Sequence, residues 1–255
     1  MSKDKKSDKK DEVKKTTAKK TTSNKATTKK PTKKKTAAKP KTPKAKMPKK
    51  DELGDIDDSL LVEGITYIEE NKLEAALECF GDFSKNHPQS HFGFYYVGYT
   101  KMLQGKSKDA MKNLKKATKL NKKFLPSIYY QGLLEFNDKK WDKALAIFDG
   151  IMLQFSSDEI KESNFNIPYF IAICHHYLGN FEGASDYFLV AYNFSPEDPV
   201  VLYYKGFNEL ALRNYEEAVM TFKNLLYIDI NNVQFWDLFK GYSYSYYENE
   251  DDEDD

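Results

Sequence analysis

The chain has 255 residues, and 40 Lys and Arg side chains against 39 Asp and Glu leave a net charge of +1. Its two cysteines, Cys79 and Cys174, form no CxxC pair and fit neither a disulfide framework nor a zinc motif, so reduced, buried thiols are expected. No stretch approaches the ~20 apolar residues that cross a bilayer, and no signal peptide is recognisable. A soluble cytoplasmic protein is expected, with the nucleus as an alternative in a eukaryote.

Residues 1–50 form a basic arm with 21 lysines and only four acidic residues. Lys, Thr, Ala and Pro dominate the arm, and so little apolar surface predicts disorder. Lysine-rich segments attract polyanions by counterion release, which would allow nonspecific binding to nucleic acid or anionic lipid. On this interpretation, removing residues 1–50 would abolish that binding. The alternatives are contact with the acidic remainder of the chain and a solvated arm without a partner.

Ser59, after the acidic stretch Asp51–Asp58, is a candidate N-cap for the first helix in the middle of the chain.

Equivalent residues along the middle of the chain are 34 residues apart. Alanines and large apolar residues share the intervals 34, 34, 40 and 34, so one insertion, Glu159–Asn164, interrupts the period. The recurring residues are Gly64, Gly98, Gly132 and Gly206, then Ala76, Ala110, Ala144, Ala184 and Ala218, then Phe80, Leu114, Phe148, Phe188 and Phe222.

Each repeat contains two apolar stretches at helical spacing on either side of a polar turn. Pro88 and Pro196 fall where a second helix should end. The small residue should let the two helices approach each other while the large residue fills the adjoining space. The insertion could lengthen a helix or form a loop. The predicted repeats are 57–90, 91–124, 125–158, 165–198 and 199–232, with turns at Asn71, Gly105, Asn137-Asp138, Gly179-Asn180 and Asn214.

This unit resembles the tetratricopeptide repeat, in which two antiparallel helices form one repeat. The first repeat carries the family's Gly64, Tyr67, Ala76, Phe80 and Pro88. The resemblance covers residues 57 to about 247. It implies an all-α, right-handed α-solenoid of about five helix–turn–helix repeats. Residues 233–247 are then expected to form a capping helix, and residues 248–255 an acidic tail.

In tetratricopeptide arrays the first helices line a concave groove, and the resemblance assigns repeat positions 2, 5, 9, 12 and 13 to it. Tyr and Phe dominate these positions, which favours binding of a hydrophobic or aromatic-containing peptide. The alternative is that the same rings form core between repeats. The predicted groove residues are Phe92, Tyr95, Tyr99, Tyr129, Leu133, Phe136, Tyr169, Ile173, His176, Tyr203 and Phe207.

Two consequences follow from this predicted groove. Positions 5 and 9 lack the Lys, Arg and Asn side chains with which some family members hold a carboxylate, so an acidic ligand is disfavoured. Replacing Tyr95 and Tyr129 with alanine should abolish partner capture while leaving the helical content intact.

No pattern of catalysis is recognisable in the sequence. Cys174, His175 and His176 are consecutive and would point about 100° apart on a helix, so they cannot share one metal ion. There is no Walker loop, GxGxxG, HExxH or GxSxG pattern. We therefore expect a non-catalytic protein-interaction scaffold without cofactor or metal. The alternative is a nucleic-acid-associated adaptor that uses the arm for nonspecific binding and the array to recruit partners.

Overall fold

The computed structural model describes residues 59–228. Four predicted segments lie outside the described residues: the arm 1–50, the stretch 51–58, the capping helix 233–247 and the tail 248–255.

The described residues form eleven α-helices and no strands, which confirms the all-α prediction. Apart from the short inserted helix, each helix packs chiefly against its neighbours in sequence, as in a solenoid of helix pairs, and the third and fourth pairs pack directly against each other across the insertion. The helices are α1 (Ser59–Glu69), α2 (Leu73–Asn86), α3 (His91–Leu103), α4 (Ser107–Leu120), α5 (Leu125–Asn137), α6 (Trp141–Gln154), α7 (Ser157–Ser163), α8 (Ile167–Tyr177), α9 (Phe181–Phe194), α10 (Pro199–Ala211) and α11 (Tyr215–Ile228).

The insertion is a separate helix, α7, and therefore neither a loop nor an extension of α6. Phe155 is extended, with φ −116° and ψ 145°, and ends α6. The Ser156 hydroxyl then accepts the Glu159 N–H, while the Glu159 carboxylate accepts the Ser156 N–H at 2.8 Å. This capping box begins α7, and Asn164 ends it in the left-handed conformation with φ 59°.

Large apolar side chains of the second helices lie directly over glycines of the first helices. A Cβ atom built on Gly132 would lie 2.7 Å from the ring of Phe148, and one on Gly98 would lie 2.9 Å from Leu114. Gly64 and Gly206 face Phe80 and Phe222 in the same way, at 2.4 and 2.6 Å. In each of these four pairs, the atom nearest to the built Cβ thus belongs to the large side chain. The alanines Ala76, Ala110, Ala144, Ala184 and Ala218 are fully buried.

The turn inside each helix pair places one residue in the left-handed region. These five residues share the intervals 34, 34, 40 and 34, and their φ angles are 58° at Asn71, 75° at Gly105, 59° at Lys139, 80° at Gly179 and 62° at Arg213. The predicted turn residues of the third and fifth pairs are one or two positions away from the strained one. Gly and Asn tolerate this conformation, whereas Lys and Arg adopt it at a cost of about 1–2 kcal/mol.

Candidate functional site

Aromatic rings on the first helices, together with Phe165 from the connection before α8, form one continuous row, which we call the aromatic ladder. Adjacent ring centroids lie between 3.9 and 6.3 Å apart, within the range in which aromatic pairs attract each other. The row begins on α3 and ends on α10, so it joins four helix pairs. In spatial order the rings are Tyr95, Tyr99, Tyr130, Phe165, Tyr129, Phe170, Tyr169, Tyr204, Tyr203 and Phe207.

Most of the predicted groove side chains lie inside the array. Only Phe136, His176, Tyr203 and Phe207 are half-buried. The other seven are buried: Phe92, Tyr95, Tyr99, Tyr129, Leu133, Tyr169 and Ile173. These seven side chains belong to the buried core of the array.

The Tyr95 and Tyr129 double alanine variant would not separate a loss of binding from a loss of stability. Tyr95 is 3% exposed and Tyr129 is 1% exposed. Truncating a buried aromatic ring costs about 3–5 kcal/mol because it leaves a cavity. Loss of binding in this variant would therefore report unfolding and would not test a groove.

Two buried tyrosine hydroxyls of the ladder, those of Tyr95 and Tyr130, are neutral and hydrogen bonded. Burial raises the pKa of both Tyr95 and Tyr130 well above the ordinary value of a phenol, and their hydroxyl groups hydrogen bond to each other. The ladder thus satisfies polar atoms that would otherwise be costly to bury.

A second aromatic group lies at the turns of the third and fourth helix pairs, and we call it the turn-edge cluster. The Trp141 and Tyr177 rings stack with centroids 4.5 Å apart and planes 8° apart. Phe136 meets the edge of Trp141 at 5.2 Å. His176 completes the cluster by contacting Tyr177 at 5.5 Å and Phe181 at 5.3 Å.

One ring of the turn-edge cluster is exposed, and the other three are half-buried. The Tyr177 side chain is 51% exposed, and the adjoining Leu178 is 41% exposed. Sequence reasoning missed two of its members. Tyr177 occupies repeat position 13, one of the positions assigned to the groove, whereas Trp141 begins a second helix and lies outside the assigned positions.

His176 joins the fourth helix pair to the fifth. The Asn208 side-chain amide donates to the Phe181 carbonyl at 2.9 Å. The side-chain oxygen of Asn208 therefore faces His176 Nδ1, also at 2.9 Å, and the histidine must donate that hydrogen bond. Asn208 is almost fully buried, so this link is protected from water. The position of the His176 ring is consequently fixed from both pairs.

Solved structures share this arrangement of helix pairs. A tetratricopeptide repeat protein from Parabacteroides merdae ATCC 43184 matches with TM-score 0.61 and 15% identity, covering 73% of this chain and 72% of that one. YrrB, described as a TPR protein with an unusual peptide-binding site, matches with TM-score 0.59 and 15% identity, covering 75% of this chain and 95% of YrrB. The chain has the tetratricopeptide-repeat fold.

MamA from Desulfovibrio magneticus RS-1, from residue 41 to its end, has the same fold relationship to this chain. The TM-score is 0.61 at 14% identity, covering 71% of this chain and 98% of that one. No family model matches the sequence, and no curated protein matches it either. The tetratricopeptide-repeat fold is therefore recognised here through structure and through the internal 34-residue period.

The tetratricopeptide-repeat array fully buries the Cys174 side chain. Burial raises the pKa of the Cys174 thiol to about 12, which keeps it protonated and weakly nucleophilic. Across residues 59–228, no group of three or more His, Cys, Asp or Glu side chains is placed to hold a metal ion. Within the same range, no helix is both long and apolar enough to cross a membrane.

Proposed function

We propose that this protein is a non-catalytic scaffold that binds a hydrophobic or aromatic-containing segment of another protein at the turn-edge cluster. The observation that carries the proposal is the exposed Tyr177 ring stacked on Trp141 at 4.5 Å. Tyr and Trp dominate the binding energy of many protein interfaces because they offer large, amphipathic contact areas. A stacked ring also loses little conformational freedom when a partner covers it.

The aromatic ladder supports this surface by limiting its movement. Phe136 of the turn-edge cluster packs edge-on against Phe170 of the ladder at 5.0 Å, so the two groups are continuous. The proposed binding surface therefore includes only part of the predicted groove, namely Phe136 and His176, which adjoin the exposed Tyr177 ring. The buried groove residues pack beneath this surface and hold it in place.

The lysine that directly precedes Trp141 is already paired with acidic side chains. In the α5–α6 turn, the Lys140 ammonium lies 2.8 Å from an Asp138 carboxylate oxygen and 3.2 Å from a Glu135 oxygen. Lys140 is therefore engaged inside the turn and is poorly suited to hold a ligand carboxylate. This agrees with the lack of a basic clamp at repeat positions 5 and 9.

YrrB, which shares the fold, is described as having an unusual peptide-binding site. We propose peptide binding for the present chain on the strength of its own exposed Tyr177 ring, with that description as support. The Cys174 thiol is buried and protonated, which makes it unsuited to act as a nucleophile.

Selection from a random peptide library, with the full-length chain as bait, tests the proposal. Selected peptides should be rich in Leu, Phe, Trp and Tyr, and Tyr177→Ala should weaken their binding by about tenfold or more, as expected for an interface hot spot. Tyr227→Ala is the matched control, because Tyr227 is 73% exposed on α11. Selection of acidic peptides, or equal losses in both variants, would contradict the proposal.

A further inference from the structure

Positive charge in the described residues is concentrated on and beside α4. Nine lysines and one aspartate lie between Lys101 and Lys123. Every other second helix of a pair, namely α2, α6, α9 and α11, has more acidic than basic side chains. The α4 surface is thus an isolated basic patch on an otherwise acidic set of second helices.

Four of these lysines share one face of α4, and we call them the lysine stripe. Lys108, Lys112, Lys115 and Lys119 follow the spacing i, i+4, i+7 and i+11, which places them in line along a helix. All four are exposed, and Ala110, Leu114 and Ala117 are buried on the opposite side. At 1.5 Å per residue, the stripe is about 16 Å long.

Within residues 59–228, none of the four lysines forms an ion pair. Like charges three and four residues apart destabilise a helix by about 0.2–0.5 kcal/mol per pair. Glutamine or alanine would serve the fold equally well at these exposed positions. The four lysines therefore repel one another, and a bound polyanion would reduce that repulsion.

We propose that the lysine stripe binds the phosphate backbone of nucleic acid without reading its bases. Duplex DNA carries one charge per about 1.7 Å, so a length equal to the stripe presents on the order of ten phosphate charges. Exposed Lys106, Lys122 and Lys123 lie at the two ends of α4 and would extend the interface. The protein's single arginine, Arg213, lies on another helix pair, and no base-reading group is present in the stripe.

The composition of the stripe distinguishes nucleic acid from two other anionic partners. Interfaces between proteins are depleted in lysine and contain an apolar centre, which the stripe lacks. Segments that adsorb to membranes combine basic residues with apolar ones that insert between lipids, and no large apolar residue lies within the stripe. Interfaces with nucleic acid are, by contrast, strongly positive and polar.

This surface is independent of peptide binding at the turn-edge cluster, and it changes the expectation for the basic arm. If α4 binds phosphates, removal of residues 1–50 would weaken nucleic-acid binding without abolishing it. An arm and a folded surface that both touch one polyanion would act as a bivalent ligand, with a gain set by effective concentration.

Fluorescence anisotropy of the full-length chain with a random-sequence DNA duplex tests the proposal over a salt series. The test variant is K108Q/K112Q/K115Q/K119Q. The control, K85Q/K143Q/K161Q/K223Q, removes the same charge from exposed lysines on α2, α6, α7 and α11. The test variant should bind about tenfold or more weakly at low salt, and the salt slope should fall by about 0.9 for each phosphate that is no longer neutralised. The control should bind nearly as the parent does.

Equal affinity and salt slope in the two variants would overturn the proposal, since the effect would then be one of net charge alone. The peptide Glu248–Asp255 and vesicles containing phosphatidylserine distinguish the other partners. If the test variant retains duplex affinity but loses either of these ligands, the stripe serves that ligand and the proposal is wrong. Circular dichroism of each variant establishes that the fold is retained.

Discussion

The phenyl ring of Phe165 stacks on the ring of Tyr129, with centroids 3.9 Å apart and planes 1° apart. Phe165 follows the inserted helix α7, whereas Tyr129 lies on α5, so the stack joins the start of the fourth repeat to the third helix pair. Phe165 also meets the edge of Tyr130 at 6.1 Å. The first residue of the fourth repeat thereby packs against both tyrosines of the third pair, beside the Tyr129–Phe170 contact that joins the two pairs at 5.8 Å.

Replacing Phe165 with alanine should lower the free energy of unfolding by about 3–5 kcal/mol, because the ring is buried and its loss leaves a cavity beside Tyr129. Phe165→Leu retains most of the apolar volume and should cost clearly less. Urea denaturation followed by circular dichroism measures both. A loss below about 1 kcal/mol for the alanine variant would show that the stack is energetically unimportant.

Gly132→Ala and Gly150→Ala form a matched pair of substitutions in adjacent helices. The added methyl group at position 132 would lie 2.7 Å from the Phe148 ring, whereas nothing lies within 4 Å of position 150. The first should destabilise the protein by about 1–3 kcal/mol through overpacking. The second should stabilise it by about 0.5–1 kcal/mol, since alanine is the better helix former. Thermal denaturation should therefore shift in opposite directions, and a shared direction would contradict the packing described.

Lys139→Gly and Arg213→Gly should each stabilise the fold by up to about 1 kcal/mol. Both residues have left-handed φ angles, of 59° and 62°, which glycine adopts without steric cost. The greater freedom of glycine in the unfolded chain offsets part of the gain. Lys140→Gly is the control, because Lys140 has a negative φ of −89° and should only lose stability. Denaturant midpoints distinguish these outcomes.

His91 should make stability decline between neutral and acidic pH. Burial lowers its pKa from 6.5 to about 4, so the unfolded chain binds a proton that the folded chain does not. Its stabilising contribution is therefore fully present above pH 6.5 and is lost as the pH falls towards 4. The effect is at most about 3 kcal/mol, reduced by solvent reaching the half-buried ring.

The variant His91→Phe isolates this contribution while preserving the edge contact with Phe124, whose ring lies 4.4 Å from that of His91. Unfolding free energies of the parent and the variant should be compared at several pH values between 7 and about 4. The difference should change in the variant's favour as the pH falls. Parallel pH profiles would show that His91 does not titrate differently in the folded state.

The helix pairs could be predicted from sequence because packing fixes the spacing of their glycines and large apolar residues. The short helix α7 could also have been predicted, since Ser156 and Glu159 have the spacing of a capping box. In two of the pairs, the left-handed turn residue could not be recognised from its residue type. Lys139 and Arg213 resemble ordinary surface residues, and only alignment by the period reveals their common position.

The division of the rings between core and surface could not be predicted in the same way. Whether Tyr129 is covered depends on Phe165, a residue 36 positions later that reaches it only because α7 ends where it does. Periodicity assigns a side chain to a face of its helix but contains no information about what an irregular insertion places over that face. Tyr177 remains exposed although it occupies an equally ordinary groove position.

Because the helix pairs pack chiefly against adjacent pairs, such a chain could change length by gaining or losing whole pairs. A helix pair that touches chiefly the pairs beside it can be duplicated or deleted with little effect on the rest. The junction at Phe165 is different, because a pair gained or removed there would separate this ring from Tyr129. Recombination should therefore be tolerated at most repeat boundaries, while the third and fourth pairs should be inherited as one block.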